Sequence, residues 1–227
     1  MPATPRRSPE PQERQRDPER TRKLILEAAT VEFGAHGYAG ARIGGIAARA
    51  GVNVQLISYY FGGKAGLHRA VSEQWQLRQR EIVPPDTPWP EQLRRYAMEA
   101  LNNPEGVRLL AWNGLQYAGR NADSGDDPDP ASRAVSLTDG VAGLRALQVD
   151  GRLSAEIDPA CLLVMLMASA MATVTLPHVI EGVCGVDPAS PEFVEHFADQ
   201  VAVLGRLIGL DRSHPITSQC DEGQLVD

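Results

Sequence analysis

Residues 43–60 read IGGIAARAGVNVQLISYY, and the fold turns on how this stretch divides. Ile43, Ile46, Ala47 and Ala50 recur at i, i+3, i+4 and i+7, which puts them on one face of a short helix that closes at Gly51. Asn53 has the short polar side chain that caps a helix start, so another helix runs from there to about residue 60. Ala47, Gly51 and Ile57 are spaced as two helices crossing at a tight turn require. The small Ala47 admits the second helix, Gly51 takes the left-handed conformation, and Ile57 plugs the junction. Taken alone, this spacing arises often by chance.

Helical geometry sorts the second of these helices further. At about 100° per residue, with Val54 as origin, Ser58, Gln55 and Tyr59 fall at about 40°, 100° and 140°. Leu56, Tyr60 and Ile57 fall at about 200°, 240° and 300° and form the core face. The outward group is Val, Gln, Ser and Tyr, where an ordinary solvent face would favour charges. That mixture suits a major groove: Gln pairs with adenine, Val meets a thymine methyl, and Tyr reaches a phosphate or a base edge. Without further support it also describes an unremarkable polar face.

Upstream, Leu24, Ile25, Ala28, Ala29 and Phe33 recur at helical spacing, so a first helix runs from residue 18 to about 33 and closes at Gly34 and Gly37. The longer stretch 21–67, TRKLILEAATVEFGAHGYAGARIGGIAARAGVNVQLISYYFGGKAGL, resembles the DNA-binding domain of the TetR (tetracycline-repressor-like) family. The resemblance is carried by Ile25 to Ala29, Phe33, Gly37-Tyr38, Ile46-Ala47, Ala50-Gly51-Val52, Tyr60-Phe61, Lys64 and Leu67. It implies a DNA-binding transcriptional regulator in which Val54, Gln55 and Tyr59 read bases. Asn53 and Ser58 would bond phosphate, and Tyr60 is counted with the DNA-binding set. Lys64, which opens the fourth helix, corresponds to a lysine that contacts the DNA backbone in the family.

The chain departs from the family pattern before its second helix. A Thr or Ser is usual there, as helix cap and phosphate contact, whereas this chain has Ala41-Arg42 followed by Gly44 and Gly45. Each glycine should weaken the helix by about 1 kcal/mol relative to Ala. Arg42 is read either as the substitute phosphate contact or as a solvated arginine. Ser58 stands where the family commonly has Tyr.

Beyond residue 61, helix starts are marked by a proline behind a capping-type residue, at Thr87-Pro88, Asn103-Pro104, Asp129-Pro130, Asp158-Pro159 and Ser190-Pro191. With the helix entered at Lys64 these give six more helices and about nine in all. The expected fold class is all-α: a flexible arm over 1–17, a helix-turn-helix domain over 18–66, a helical effector-binding and dimerisation domain over 67–210, and a polar tail over 211–227. The apolar stretch from Ala160 to Leu176 is expected to be a helix buried on several sides, ended or kinked at Pro177. Phe193, Phe197, Val201, Leu204 and Ile208 form a narrow stripe on the last helix, either a dimer seam or an intrachain core. The family resemblance implies a homodimer packed through these two helices. It also implies a cavity for a small-molecule effector, for which Trp75, Tyr96, Trp112, Tyr117, Met165, Met171 and His178 are candidates. The same residues also build ordinary cores.

Composition sets the outer limits. The chain has 227 residues, 43% hydrophobic, 5% aromatic, and a formal charge of -7. The charge is divided unevenly. Residues 1–68 carry ten Lys and Arg against six Asp and Glu, a net +4, and the remainder carries twelve against twenty-three, a net -11. Cys161, Cys184 and Cys220 suggest neither a disulfide framework nor a metal site and read as buried thiols in a reducing cytoplasm. The Asp residues at 123, 126, 127 and 129 read as a solvated loop rather than a cation site. No secretory signal or membrane span is evident, and no metal or cofactor is expected. The rival classes are a constitutive DNA-binding dimer without effector and, less well supported, a helical enzyme. For the latter no phosphate loop, nucleophile elbow or metal-spaced cluster is present.

Overall fold

The computed structural model describes residues 18–84, 86–117 and 130–211. The expectations for the N-terminal arm, the aspartate-rich loop, Cys220 and the polar tail lie outside the described residues. Every regular element among those described is a helix. They are α1 (Pro18–Gly40), α2 (Ile43–Ala50), α3 (Val54–Phe61), α4 (Lys64–Ile82), α5 (Trp89–Asn102), α6 (Pro104–Leu115), α7 (Pro130–Val149), α8 (Pro159–Thr175), α9 (Pro177–Cys184) and α10 (Pro191–Leu207).

The apolar positions of α1, α2 and α3 converge on one core. Ile25, Ala29, Phe33, Ile46 and Ile57 are fully or almost fully buried in it, joined by Leu67 and Val71 from α4 and by Leu109 from α6. The reading head therefore shares its core with two helices of the second domain. A second cluster joins Leu93 of α5, Leu144 and Leu147 of α7, Leu162 and Leu166 of α8, and Val201 of α10.

Helix ends follow the chemistry of their caps. Asn103 accepts from the Gly106 N–H, Asp158 from Cys161 and Ser190 from Phe193, each with proline at the start of the helix where its missing N–H costs nothing. The exposed Asp158 carboxyl is held below its ordinary value by the Cys161 N–H it accepts. At α5 the expectation is off by a residue: Pro88 is the cap and Pro90 lies in the first turn.

Four other expectations are corrected. The first helix does not close at Gly34 but continues to Gly37, the other expected stop, whose φ of 65° and ψ of 177° break it before a last turn runs on to Gly40. A tenth helix, α9, follows α8 after a bend of 79°, because Pro177 both ends one helix and starts the next. Its cap, Leu176, makes no side-chain bond, so the pairing of a capping residue with proline that marks the other starts is missing. Finally, α8 buries one face rather than several. Leu162, Leu166, Ala170 and Thr173 point inward, while Val164 and Met165 stay exposed. Cys161 lies exposed near the start of that helix and Cys184 is exposed at the end of α9, so neither is the buried thiol expected.

What fixes the head to the second domain is a close crossing of α1 and α6. A Cβ on Gly34 would come within 2.6 Å of the Glu105 carbonyl oxygen, and one on Gly37 within 3.1 Å of the Trp112 ring. The Trp112 Nε1 donates to the Gly34 carbonyl at 3.2 Å. Gly34→Ala should therefore lower stability by about 1–3 kcal/mol, the usual cost of overpacking. Urea unfolding of the full chain measures this, and an unchanged midpoint would mean the two helices are not held this close.

Candidate nucleic-acid interface

The turn between α2 and α3 is closed by backbone bonds. Gly51 adopts φ 66° and ψ 32°, its N–H reaches the Ala48 carbonyl, and the Val52 N–H reaches the Ala47 carbonyl at 3.0 Å. This is the left-handed helix stop that glycine adopts without strain. α3 then starts on Asn53, whose Oδ1 accepts the Gln55 N–H at 2.9 Å.

The angular sorting of α3 appears in the burial. Ile57 is 0% exposed, and Leu56 and Tyr60 are half-buried against the head core. Val54, Gln55 and Ser58 are exposed, and Tyr59 is 79% exposed. Tyr60 thus separates from the rest of the DNA-binding set: it lies edge-on to Tyr59 at 5.1 Å between ring centroids and backs that ring from the core side. The Arg22 guanidinium lies 5.0 Å from the centre of the Phe61 ring and ties α1 to the end of α3.

The two cations of the set differ. Arg42 is exposed at the start of α2. Lys64 is half-buried: its Nζ donates to the Ala39 carbonyl at 3.2 Å and sits 4.9 Å from the Tyr38 ring centre. An ammonium has three donors, so this contact leaves N–H groups for a phosphate.

The residues singled out for an effector differ in their burial. Trp75 on α4 and Met171 on α8 are half-buried, as is Tyr96 on α5, whose hydroxyl titrates higher than usual because it is buried. Trp112 belongs to the crossing of α1 and α6, while Tyr117, Met165 and His178 are exposed. Two polar groups not marked in advance, on Ser72 and Thr173, lie nearer the interior with the indole of Trp75. Ser72 Oγ, Trp75 Nε1 and Thr173 Oγ1 are buried and make no hydrogen bond within the protein. Glu99 of α5 accepts a two-pronged pair of bonds from Arg78 of α4, at 2.6 and 2.9 Å. The contact raises the arginine's already high pKa. A groove of about 380 Å³ between α5 and α10 is lined by Pro88, Pro90, Glu91, Arg94, Asp199, Ala202, Arg206 and Asp211, none of them an expected effector residue.

The stripe on α10 divides as well. Val201 is buried, and Phe197 and Ile208 pack against the second core cluster, which favours the intrachain reading for these three. Phe193 is half-buried and stacks near Phe197 with 6.0 Å between ring centroids. Leu204 remains exposed, with Leu207 beside it at 79% exposure.

Comparison with known proteins agrees with this architecture. The profile described as bacterial regulatory proteins, tetR family, matches residues 25–71, and that of the tetracyclin repressor-like C-terminal domain matches residues 90–192. The HTH-type transcriptional repressor SCO4008 of Streptomyces coelicolor is 38% identical over 167 residues, 72% of this chain and 83% of that protein. The crystal structure of SCO4942, also from Streptomyces coelicolor, has a TM-score of 0.64 at 25% identity and covers 81% of this chain and 97% of its own. AibR, solved in complex with isovaleryl coenzyme A and operator DNA, shares the fold with a TM-score of 0.65 at 15% identity, over 83% of this chain and 98% of its own. The chain belongs to the TetR family of DNA-binding helix-turn-helix transcriptional regulators.

The link between α4 and α5 generates a test of its own. The Glu99 side chain is 3% exposed and that of Arg78 is 38% exposed, so Arg78→Met strands a buried carboxylate. Breaking a fully buried pair costs about 3–5 kcal/mol, and the partial exposure of Arg78 reduces the expected loss to about 2 kcal/mol. Arg78→Met with Glu99→Gln should recover much of it, as read from urea midpoints.

Proposed function

We propose that this protein is a repressor that binds a short palindromic operator as a homodimer and leaves it when a small molecule occupies the second domain. The observation that carries the DNA half is the outward face of α3, where Val54, Gln55, Ser58 and Tyr59 are exposed on a helix anchored by Ile57 in the head core. In this reading Val54, Gln55 and Tyr59 meet base edges, and Arg42, Asn53, Ser58 and Lys64 meet phosphates. Tyr60 acts from behind by holding the Tyr59 ring.

One helix of eight residues reads few base pairs, and helix-turn-helix proteins gain affinity by pairing half-sites about one helical turn apart. The apolar residues left open on α8 and α10, among them Val164, Met165, Leu204 and Leu207, support pairing of two copies through these helices. The effector half is supported by the buried, unbonded donors Ser72, Trp75 and Thr173 and by the Tyr96 hydroxyl, which suit a ligand bearing acceptor oxygens. AibR, which shares the fold, was solved with an acyl coenzyme A. A ligand that favours a dimer with wrongly spaced α3 helices would release the DNA.

The deciding experiment is retention of DNA from the protein's own upstream region, against random DNA, across a salt series. Specific retention supports the reading, and equal retention of both overturns it. Gln55→Ala should cost about 1–3 kcal/mol and relax specificity at one position per half-site, whereas Arg42→Ala should weaken all sequences alike and lower the salt slope by about one per bound protomer. Leu207→Glu should yield monomers by light scattering, keep the helical content, and abolish operator binding. A dimer that survives this change would move the interface elsewhere.

A further inference from the structure

We infer that Glu32, on α1, is the positioning residue for Arg42: it caps α2 from a neighbouring helix and fixes the backbone from which the Arg42 guanidinium reaches a phosphate. This rests on the DNA-binding reading above.

The N–H groups at the start of a helix need acceptors, normally supplied by a Ser, Thr, Asp or Asn at the cap. In a capping box, a Glu at the third helical position also reaches back to the N–H of the cap residue. α2 has neither. Its cap residue is Arg42, at φ -116° and ψ 124°, with no side-chain capping bond, and its third helical residue is Gly45.

The missing acceptor comes from α1. The Arg42 N–H donates to Glu32 Oε1 at 3.1 Å. A Cβ built on Gly45 would lie 3.2 Å from that oxygen and 3.3 Å from Glu32 Oε2. The carboxylate therefore occupies the space into which a side chain at the third helical position would grow. Glu32 supplies, from the adjacent helix, the half of a capping box that α2 lacks, and glycine at 45 leaves it room. Its charge faces the positive end of the helix, where a carboxylate is favourable. A Cβ on Gly44 would meet nothing within 4 Å, so the same explanation does not extend to that residue.

The consequence is for the cation. Arg42 projects into solvent from a residue whose own N–H is pinned to α1, so its guanidinium starts from a fixed point on the head rather than from a fraying helix end.

The experiment measures affinity of the full chain for its upstream DNA across a salt series, for Glu32→Ala, Glu32→Gln, Arg42→Ala and the double variant Glu32→Ala with Arg42→Ala. Glu32→Ala is expected to weaken binding by about five- to tenfold and to lower the salt slope as Arg42→Ala does. The double variant should bind no more than about twofold worse than Arg42→Ala, since both act through one contact. Glu32→Gln keeps an acceptor in place and should restore most of the affinity. Gly45→Glu in the Glu32→Ala background rebuilds the cap within α2, and recovery there separates positioning from loss of fold. Additive losses in the double variant, failure of both rescues, or tighter binding by Glu32→Ala would overturn the inference while leaving the DNA-binding reading intact. Failure of the unaltered chain to prefer its upstream DNA would overturn both.

Discussion

The crossing of α1 and α6 is the constraint on which the arrangement depends. At Gly34 the two helices approach until backbone meets backbone, and Trp112 closes the contact by donating its indole N–H to the Gly34 carbonyl. Leu109, from the same face of α6, completes the core under the head. The head is therefore not a bead on a string. Its first helix, which carries Glu32 and Arg22, is clamped to the second domain, and α3 packs on α2 and α4 over a core that Phe33 and Ile57 share. Any shift of α6 must be shared by α1 or absorbed at the Gly37 kink.

Charge works on a longer range than packing. A chain of net -7 looks poorly suited to a polyanion, yet the first 68 residues carry +4 and the rest -11. In the proposed reading this split favours an oriented approach: attraction at the head and repulsion at the body turn the molecule toward phosphate before any contact forms, and salt weakens both effects. Within the head, positive charge is spread thinly. Arg42 stands in solvent beside a helix start that Glu32 has already claimed, and Lys64 is half-buried against Tyr38 and Ala39. In the proposed reading, a head so lightly charged relies on the neutral face of α3 for discrimination.

Much of this was legible in the residues. The faces of α3 followed from periodicity, because Ile57 and Leu56 are apolar and in phase with Ile46 and Ala47. The helix starts at 104, 159 and 191 followed from a capping residue next to a proline. What was hidden was tertiary. Nothing local marks Gly34 as a contact rather than a helix stop, since its reason lies 71 residues away at Glu105. Nothing local to Glu32 marks it either, since its partner is the start of α2, ten residues on and in another helix. The stripe on α10 could not reveal which residues face the chain's own core, and Val201 and Phe197 proved to turn inward while Leu204 did not. The effector residues were the least legible. Large apolar side chains fill any helical interior, and only the structure distinguishes a bonded indole at Trp112 from an unbonded one at Trp75.

The Gly34 contact also has a consequence for how the sequence can change. Its nearest neighbours across the crossing are the carbonyl oxygen, Cα and carbonyl carbon of Glu105, and none of its side-chain atoms. Replacing the side chain at 105 cannot make room for a larger residue at 34, because the obstructing atoms are common to all amino acids. The dependence runs in one direction only: position 105 is free to drift, and position 34 is not. Two residues in direct contact can thus leave no trace of each other in substitution patterns, and a coupling between domains can rest on a site that carries no compensating partner.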